Sequence, residues 1–189
     1  MNRTEGAEKE AGMKAIRFGR LGNLEISAAP SAILGSLLLW LALSGIAIGL
    51  LHFTVSEAII TALIAVALHW LSETIHQLGH ARAARQIGYP MVGIRYWGVL
   101  STSIYPSDEP PLPAEPHIHR ASGGPLMSSN VVIVSAIVLL LLRLSHATGA
   151  VWWLAIFFLL DNLLVFTLGA LLPIGFTDGS TLLYWRNKK

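Results

Sequence analysis

Apolar residues run in four long blocks along the chain, at 31–53, 57–84, 122–144 and 150–173, with polar residues gathered between and outside them. A helix needs about 20 residues to cross a hydrocarbon core, so each block predicts a transmembrane span. The links at Thr54–Ser56 and around His146–Gly149 are short, which predicts two helical hairpins. Thr54 followed by Glu57 fits a capping box opening the second span. Between the second and third spans the pattern changes. Met91–Tyr105 alternates and is rich in β-branched and aromatic residues, which predicts a short strand or hairpin, and Pro106–Pro116 predicts a structureless, proline-rich connector. The expected fold class is an all-α polytopic membrane protein of about four transmembrane helices, with a small β-strand or hairpin element between the second and third. The expected division is an N-terminal segment over 1–30 and one membrane-embedded domain over 31–189, with the β/loop insert at 91–120.

Composition agrees with lipid as the solvent. Of 189 residues, 53% are hydrophobic and 13% charged, too apolar for an ordinary soluble domain. Met1–Asn23 is polar and the first apolar run is too long for the core of a signal peptide, so no cleaved leader is expected. The net charge of +2 does not form a basic face, and nucleic acid is not an expected partner. The basic residues instead set an orientation. Arg3, Lys9, Lys14, Arg17 and Arg20 precede the first span; Arg82, Arg85, Arg95 and Arg120 flank the central segment; Arg186, Lys188 and Lys189 follow the last. With four spans these groups share one side, opposite Arg143, which predicts cytoplasmic termini and a multi-pass protein of a bacterial-type cell membrane. Asn2-Arg3-Thr4 is a glycosylation sequon that such a topology leaves unused.

Cysteine is absent, so a metal ion would have to be held by His, Asp or Glu. The second span ends in Glu73-Thr-Ile-His76-Gln77-Leu-Gly-His80. Histidines four apart stack on one helix face and can share one zinc ion. At about 100° per residue, His69, Glu73, His76 and His80 fall within about 60° of one another, and ionisable groups in a spanning segment usually mark function. A third ligand must come from the same side of the membrane. Asp178, in Phe176-Thr-Asp178-Gly179, lies at that boundary, although an Asp-Gly turn or helix cap explains it equally on local grounds. Glu73, leaning away from His80, is expected to hydrogen-bond and orient His76. Asp161 and Asn162 within the fourth span are expected to hydrogen-bond across helices, and His117 and His119 to be solvated in their loop.

These residues resemble the site-2 proteases, membrane-embedded zinc metalloproteases that cut transmembrane substrates. His76-Gln77-Leu78-Gly79-His80 is similar to that family's His-Glu-x-x-His, Gly124-Pro125-Leu126 to its Gly-Pro element, and Ala170-Leu-Leu-Pro173 through Asp178-Gly179 to its Asn-x-x-Pro-x-x-x-x-Asp-Gly element. Ile16–Pro30 looks like the short extended segment that precedes the family's core. The resemblance implies one Zn2+ held by His76, His80 and Asp178, a transmembrane protein substrate or client in the lipid bilayer, and peptide-bond hydrolysis near the cytoplasmic boundary. It implies Gln77 at the position of the general base, with Glu73 as a residue that supports a ligand by hydrogen bonding or as a substitute base. Ile94 and Tyr96, on a strand edge that could pair with unwound substrate, are the implied substrate contacts. Gln77 replaces Glu, Ala170 replaces Asn, and Ser128 stands where an Asn often follows Gly-Pro. Gln cannot take up a proton at neutral pH, so the alternative is a non-catalytic relative that binds metal and client helices without cutting them.

Overall fold

The structure is a computed structural model and describes residues 15–188. The sequon at Asn2 and the basic residues Arg3, Lys9, Lys14 and Lys189 lie outside them. Strands β1 (Ile16–Leu21) and β2 (Leu24–Ala28) form a hairpin around Gly22, whose φ of +60° suits glycine. Helix α1 (Pro30–Gly49) starts on a proline, whose missing N–H is not needed in a first turn. Helix α2 (Val55–Gln86) opens with the capping box: Thr54 Oγ1 accepts from the Glu57 N–H and Glu57 Oε2 accepts from the Thr54 N–H at 3.0 Å. Strands β3 (Gly93–Trp97) and β4 (Leu100–Ile104) follow, then helix α3 (Ala114–Leu144), helix α4 (Gly149–Leu160) continued by a π-helical segment (Asp161–Gly169), and helix α5 (Asp178–Arg186).

Four helical stretches, 30–49, 55–86, 114–144 and 149–169, are long and apolar enough to cross a membrane. Leu38, Leu63, Leu140 and many like residues are exposed on their outer surfaces, an arrangement suited to lipid. Inside the bundle the contacts rest on small residues. Gly79 of α2 and Gly123 of α3 meet backbone to backbone, and a Cβ on either would collide with the other helix.

The β element is larger than the expected hairpin. The four strands make one sheet in the order β1-β2-β3-β4, with β2 parallel to β3 and β3 antiparallel to β4. Residues 16–28, from the segment expected ahead of the first span, supply two of its strands. Strand β3 thus has neighbours on both sides. Ile94 and Tyr96 cannot offer a free edge, because their backbones pair with Ile26 and Ala28 on one side and with Ser103 and Ser101 on the other; the edge beside the helices belongs to β4.

Three spans differ from their expected bounds, and the first of them ends at Gly49 rather than Phe53. The third helix starts at Ala114, not near 122, so the connector is structureless only as far as Pro113. Pro116 is its third residue, within the first turn, where proline removes no helical bond. His117 and His119 are consequently on a helix rather than in a loop: the His117 ring stacks on Trp185 with centroids 4.1 Å apart, and His119 Nε2 lies 3.4 Å from Gln86 Oε1. The fourth span leaves helical geometry after Gly169, short of Pro173, and turns through 170–177 into α5.

Candidate metal centre

Helix α2 puts His76 and His80 on one face, one turn apart, and buries both. The chain from the π segment to α5 brings Asp178 onto them. Gly179 makes that approach possible: its N–H donates to the Ala170 carbonyl at 2.9 Å, and its α-carbon lies so close to the Leu171 carbonyl that a Cβ would not fit. Thr177, rather than Asp178, is the N-cap of α5, and its hydroxyl donates to the Leu172 carbonyl. The Asp178 carboxylate is thus left to the histidines. Its Oδ2 lies 3.3 Å from His76 Nε2 and 3.4 Å from His80 Nε2, and the two Nε2 atoms are 3.1 Å apart.

That triangle has the dimensions of a metal site. Ligand atoms at the 2.0–2.1 Å bond lengths of zinc, at a tetrahedral angle, stand about 3.3 Å apart, and all three separations match. The far nitrogens show which atoms are free to ligate. His80 Nδ1 lies 2.8 Å from the Arg120 carbonyl, which can only accept, so Nδ1 carries the proton and Nε2 offers its lone pair. His76 Nδ1 lies 3.0 Å from Ser128 Oγ. A cation among the three would relieve the approach of the His80 Nε2 lone pair to the Asp178 carboxylate. The donor set therefore fits zinc, with three protein ligands and a fourth position left over, the pattern of catalytic rather than structural sites. Gly124 lines the same wall; a Cβ there would strike both imidazoles.

Gln77 and Glu73 lie on the side of α2 that faces β4. The Ser103 hydroxyl donates to Gln77 Oε1 at 2.7 Å, and the Ser101 hydroxyl donates to Glu73 Oε1. Glu73 thus takes its hydrogen bond from the strand and does not orient His76, whose Nδ1 is engaged by Ser128. The reason is register: Glu73 and Gln77 are one turn apart along the helix, as Ser101 and Ser103 are two residues apart along the strand. Ile94 is fully buried under the sheet, and the Tyr96 hydroxyl lies 2.7 Å from Thr74 Oγ1. Ser101, Ser103, Ser128 and the Arg120 carbonyl were not singled out as partners from sequence. The alternating serines of 101–103 were the available signal for the first two.

A second buried polar group lies one turn and more below the metal centre. His69 Nδ1 is 3.1 Å from Asp161 Oδ1 and its Nε2 is 2.7 Å from the Val99 carbonyl in the β3–β4 turn. Asn162 Nδ2 donates to Ser72 Oγ and to the Phe158 carbonyl, both at 2.8 Å. Asp161 and Asn162 thus do cross to α2, and both open the π segment, where the wider turn shows in the Ala170 N–H donating to Val165. Phe166 packs between the two groups, with its ring centroid 5.3 Å from His69 and 5.8 Å from His76.

If Ser128 orients His76, Ser128→Ala should weaken zinc binding about 10- to 100-fold, the usual cost of losing such a partner. Competition with a chromophoric chelator measures it, and unchanged affinity would remove Ser128 from the site.

No protein-family model matches the chain, and no curated protein matches it. Among solved structures it is similar to the site-2 protease from Methanocaldococcus jannaschii, with a TM-score of 0.63 and 20% identity, over 93% of this chain and 73% of that one. The likeness establishes the fold: four membrane-spanning helices and a small sheet arranged as in a site-2 protease, in a multi-pass membrane protein.

Proposed function

We propose that this chain, with its site-2-protease fold, is an intramembrane zinc metalloprotease acting on a membrane-spanning substrate, with turnover limited by Gln77. The observation that carries this reading is the triangle of His76, His80 and Asp178, with ligand atoms 3.1–3.4 Å apart. Zinc held there supplies a Lewis acid that polarises a carbonyl and lowers the pKa of water.

The chain's own residues do the rest. Ser128 and the Arg120 carbonyl fix the imidazoles, and Gly124 leaves room for them. The outer edge of β4, whose Ser101 and Ser103 already touch Glu73 and Gln77, is where an extended client segment would add as a further strand. Pairing there answers a physical need, since a scissile carbonyl in a regular helix is shielded by its own hydrogen bond. Gln77 stands beside the ligands, where its amide can hydrogen-bond but cannot accept a proton. Glu73 is the nearest carboxylate of the same helix face, one turn below. The orientation expected from the basic residues puts this site at the cytoplasmic boundary.

Gln77 also favours a second reading. Its amide is buried and its oxygen is satisfied by Ser103, a neutral pairing suited to a protein that keeps the metal and the client groove without cutting. Both readings require the metal. Elemental analysis of the purified protein is expected to give one zinc per chain, and His80→Ala none, with a lower melting temperature in detergent. No zinc in the unaltered protein would overturn both.

A further inference from the structure

Away from the metal centre, the turn between β1 and β2 and the end of α2 line an open cavity of about 440 Å³. Its floor is apolar, from Leu21, Leu24, Leu78 and Ala81, and its rim carries Arg82 and Arg85. Leu78, Ala81, Arg82 and Arg85 recur at intervals of three and four, so they form one stripe along α2. Read outward along the helix, that stripe passes from apolar to doubly cationic. A phospholipid changes in the same order and over the same boundary, from acyl chain to phosphate.

The cavity's positive charge has no acidic counterpart among the described residues. Among the described residues neither Arg82 nor Arg85 has an acidic partner, and no acidic side chain lines the cavity. Glu25, on the adjoining strand, is bound to Arg17 at 3.1 Å. Arg85 in the last turn of α2 complements the helix dipole. The dipole does not call for a second arginine, nor for an apolar floor beneath the pair. Guanidinium groups bind phosphate oxygens two at a time, and basic pockets at the ends of membrane helices are suited to anionic lipid headgroups. The volume lies within the range of small-ligand sites.

We infer that the cavity at the β1–β2 turn is a binding site for one anionic phospholipid, its phosphodiester held by Arg82 and Arg85 and its glycerol and upper acyl chain against Leu78 and Ala81. Such a lipid would lie against the N-terminal hairpin and the helix that carries His76 and His80. It would thereby fasten the sheet to the bilayer. The inference depends on the membrane location of the chain and not on peptide-bond cleavage.

The test uses the whole protein, delipidated in a neutral detergent and titrated with phosphatidylglycerol, with phosphatidylcholine, and with inorganic phosphate, each followed by native mass spectrometry. One phosphatidylglycerol per chain is expected, bound in clear preference to phosphatidylcholine. Arg82→Gln and Arg85→Gln should each weaken it about fivefold, and the double variant about 25-fold. Arg143→Gln, on the far side of the bundle, should leave it unchanged, and equal melting temperatures will show that the variants fold. Equal retention by the double variant, or no preference over phosphatidylcholine, would overturn the site. Saturation by inorganic phosphate at matching concentration would overturn its assignment to lipid.

Discussion

Gln77→Glu is expected to raise the rate at which the protein cleaves a model transmembrane substrate by about 10²- to 10⁴-fold, the usual contribution of a positioned general base. The substitution changes an amide to a carboxylate of nearly the same shape. Ser103 can still donate to it as it donates to Gln77 Oε1, so packing has little reason to change. What changes is the ability to take a proton from attacking water and deliver it to the leaving amine. Cleavage of a reconstituted substrate, followed by gel and mass spectrometry for both forms at equal zinc content, measures the gain. An active Gln77 form that gains nothing would transfer the base role to Glu73, which Glu73→Gln would then abolish. Two inactive forms with full zinc would favour the non-catalytic reading, and Ala170 would be the next position to examine.

Arg120→Met is expected to cost about 1–3 kcal/mol of stability, because it removes the hydrogen bonds that a buried guanidinium gives to the half-buried Glu109 carboxylate and to the Tyr89 carbonyl. Arg120 is 5% exposed. Its guanidinium donates to both oxygens of Glu109 and to the Tyr89 carbonyl at 2.6 Å, and it lies 3.9 Å from the centre of the Tyr105 ring. Burial pushes the Tyr105 phenol up to about 12 against the pull of Arg120, so the ring meets the cation as neutral phenol. Thermal unfolding in detergent gives the loss, and Glu109→Gln should cost at least as much, because it leaves the buried Arg120 cation without its carboxylate. Acid gives an independent check. Hydrogen bonds from Arg120 hold the Glu109 carboxyl below its reference value of 4.5. A lowered pKa contributes stability that is complete above 4.5 and lost as pH falls through the lowered value. The unaltered protein should lose stability over that interval, and Arg120→Met should lose less.

The residues of the metal triangle could be read from sequence because each depends on a local rule. Helical spacing aligned His76 with His80, and counting spans put Asp178 on their side of the membrane. The sheet could not be read in the same way. Its central pairing, β2 against β3, joins segments about 65 residues apart in the chain, and nothing local encodes a partner so distant. The bulge between Arg17 and Gly19 also breaks the alternation that would have marked β1. The start of α3 was hidden for a different reason: four prolines within 110–116 resemble a loop, and the last of them is harmless only because it falls in a first turn. The π segment has no sequence period of its own. Its only trace was a pair of polar residues, Asp161 and Asn162, inside an apolar span.

The parallel pairing of β2 with β3 bears on the order in which the protein is made. Parallel neighbours need a crossover connection, and here the crossover is the hairpin of α1 and α2 itself. The β1–β2 hairpin can close as soon as it is synthesised, but it has no third strand until both of the first two spans have been threaded into the bilayer and β3 has emerged. Completion of the sheet thus reports that α1 and α2 have both crossed. A chain in which one of the two failed to cross would strand β2 and β3 on opposite sides of the membrane, with their backbone groups unpaired and open to recognition by quality control.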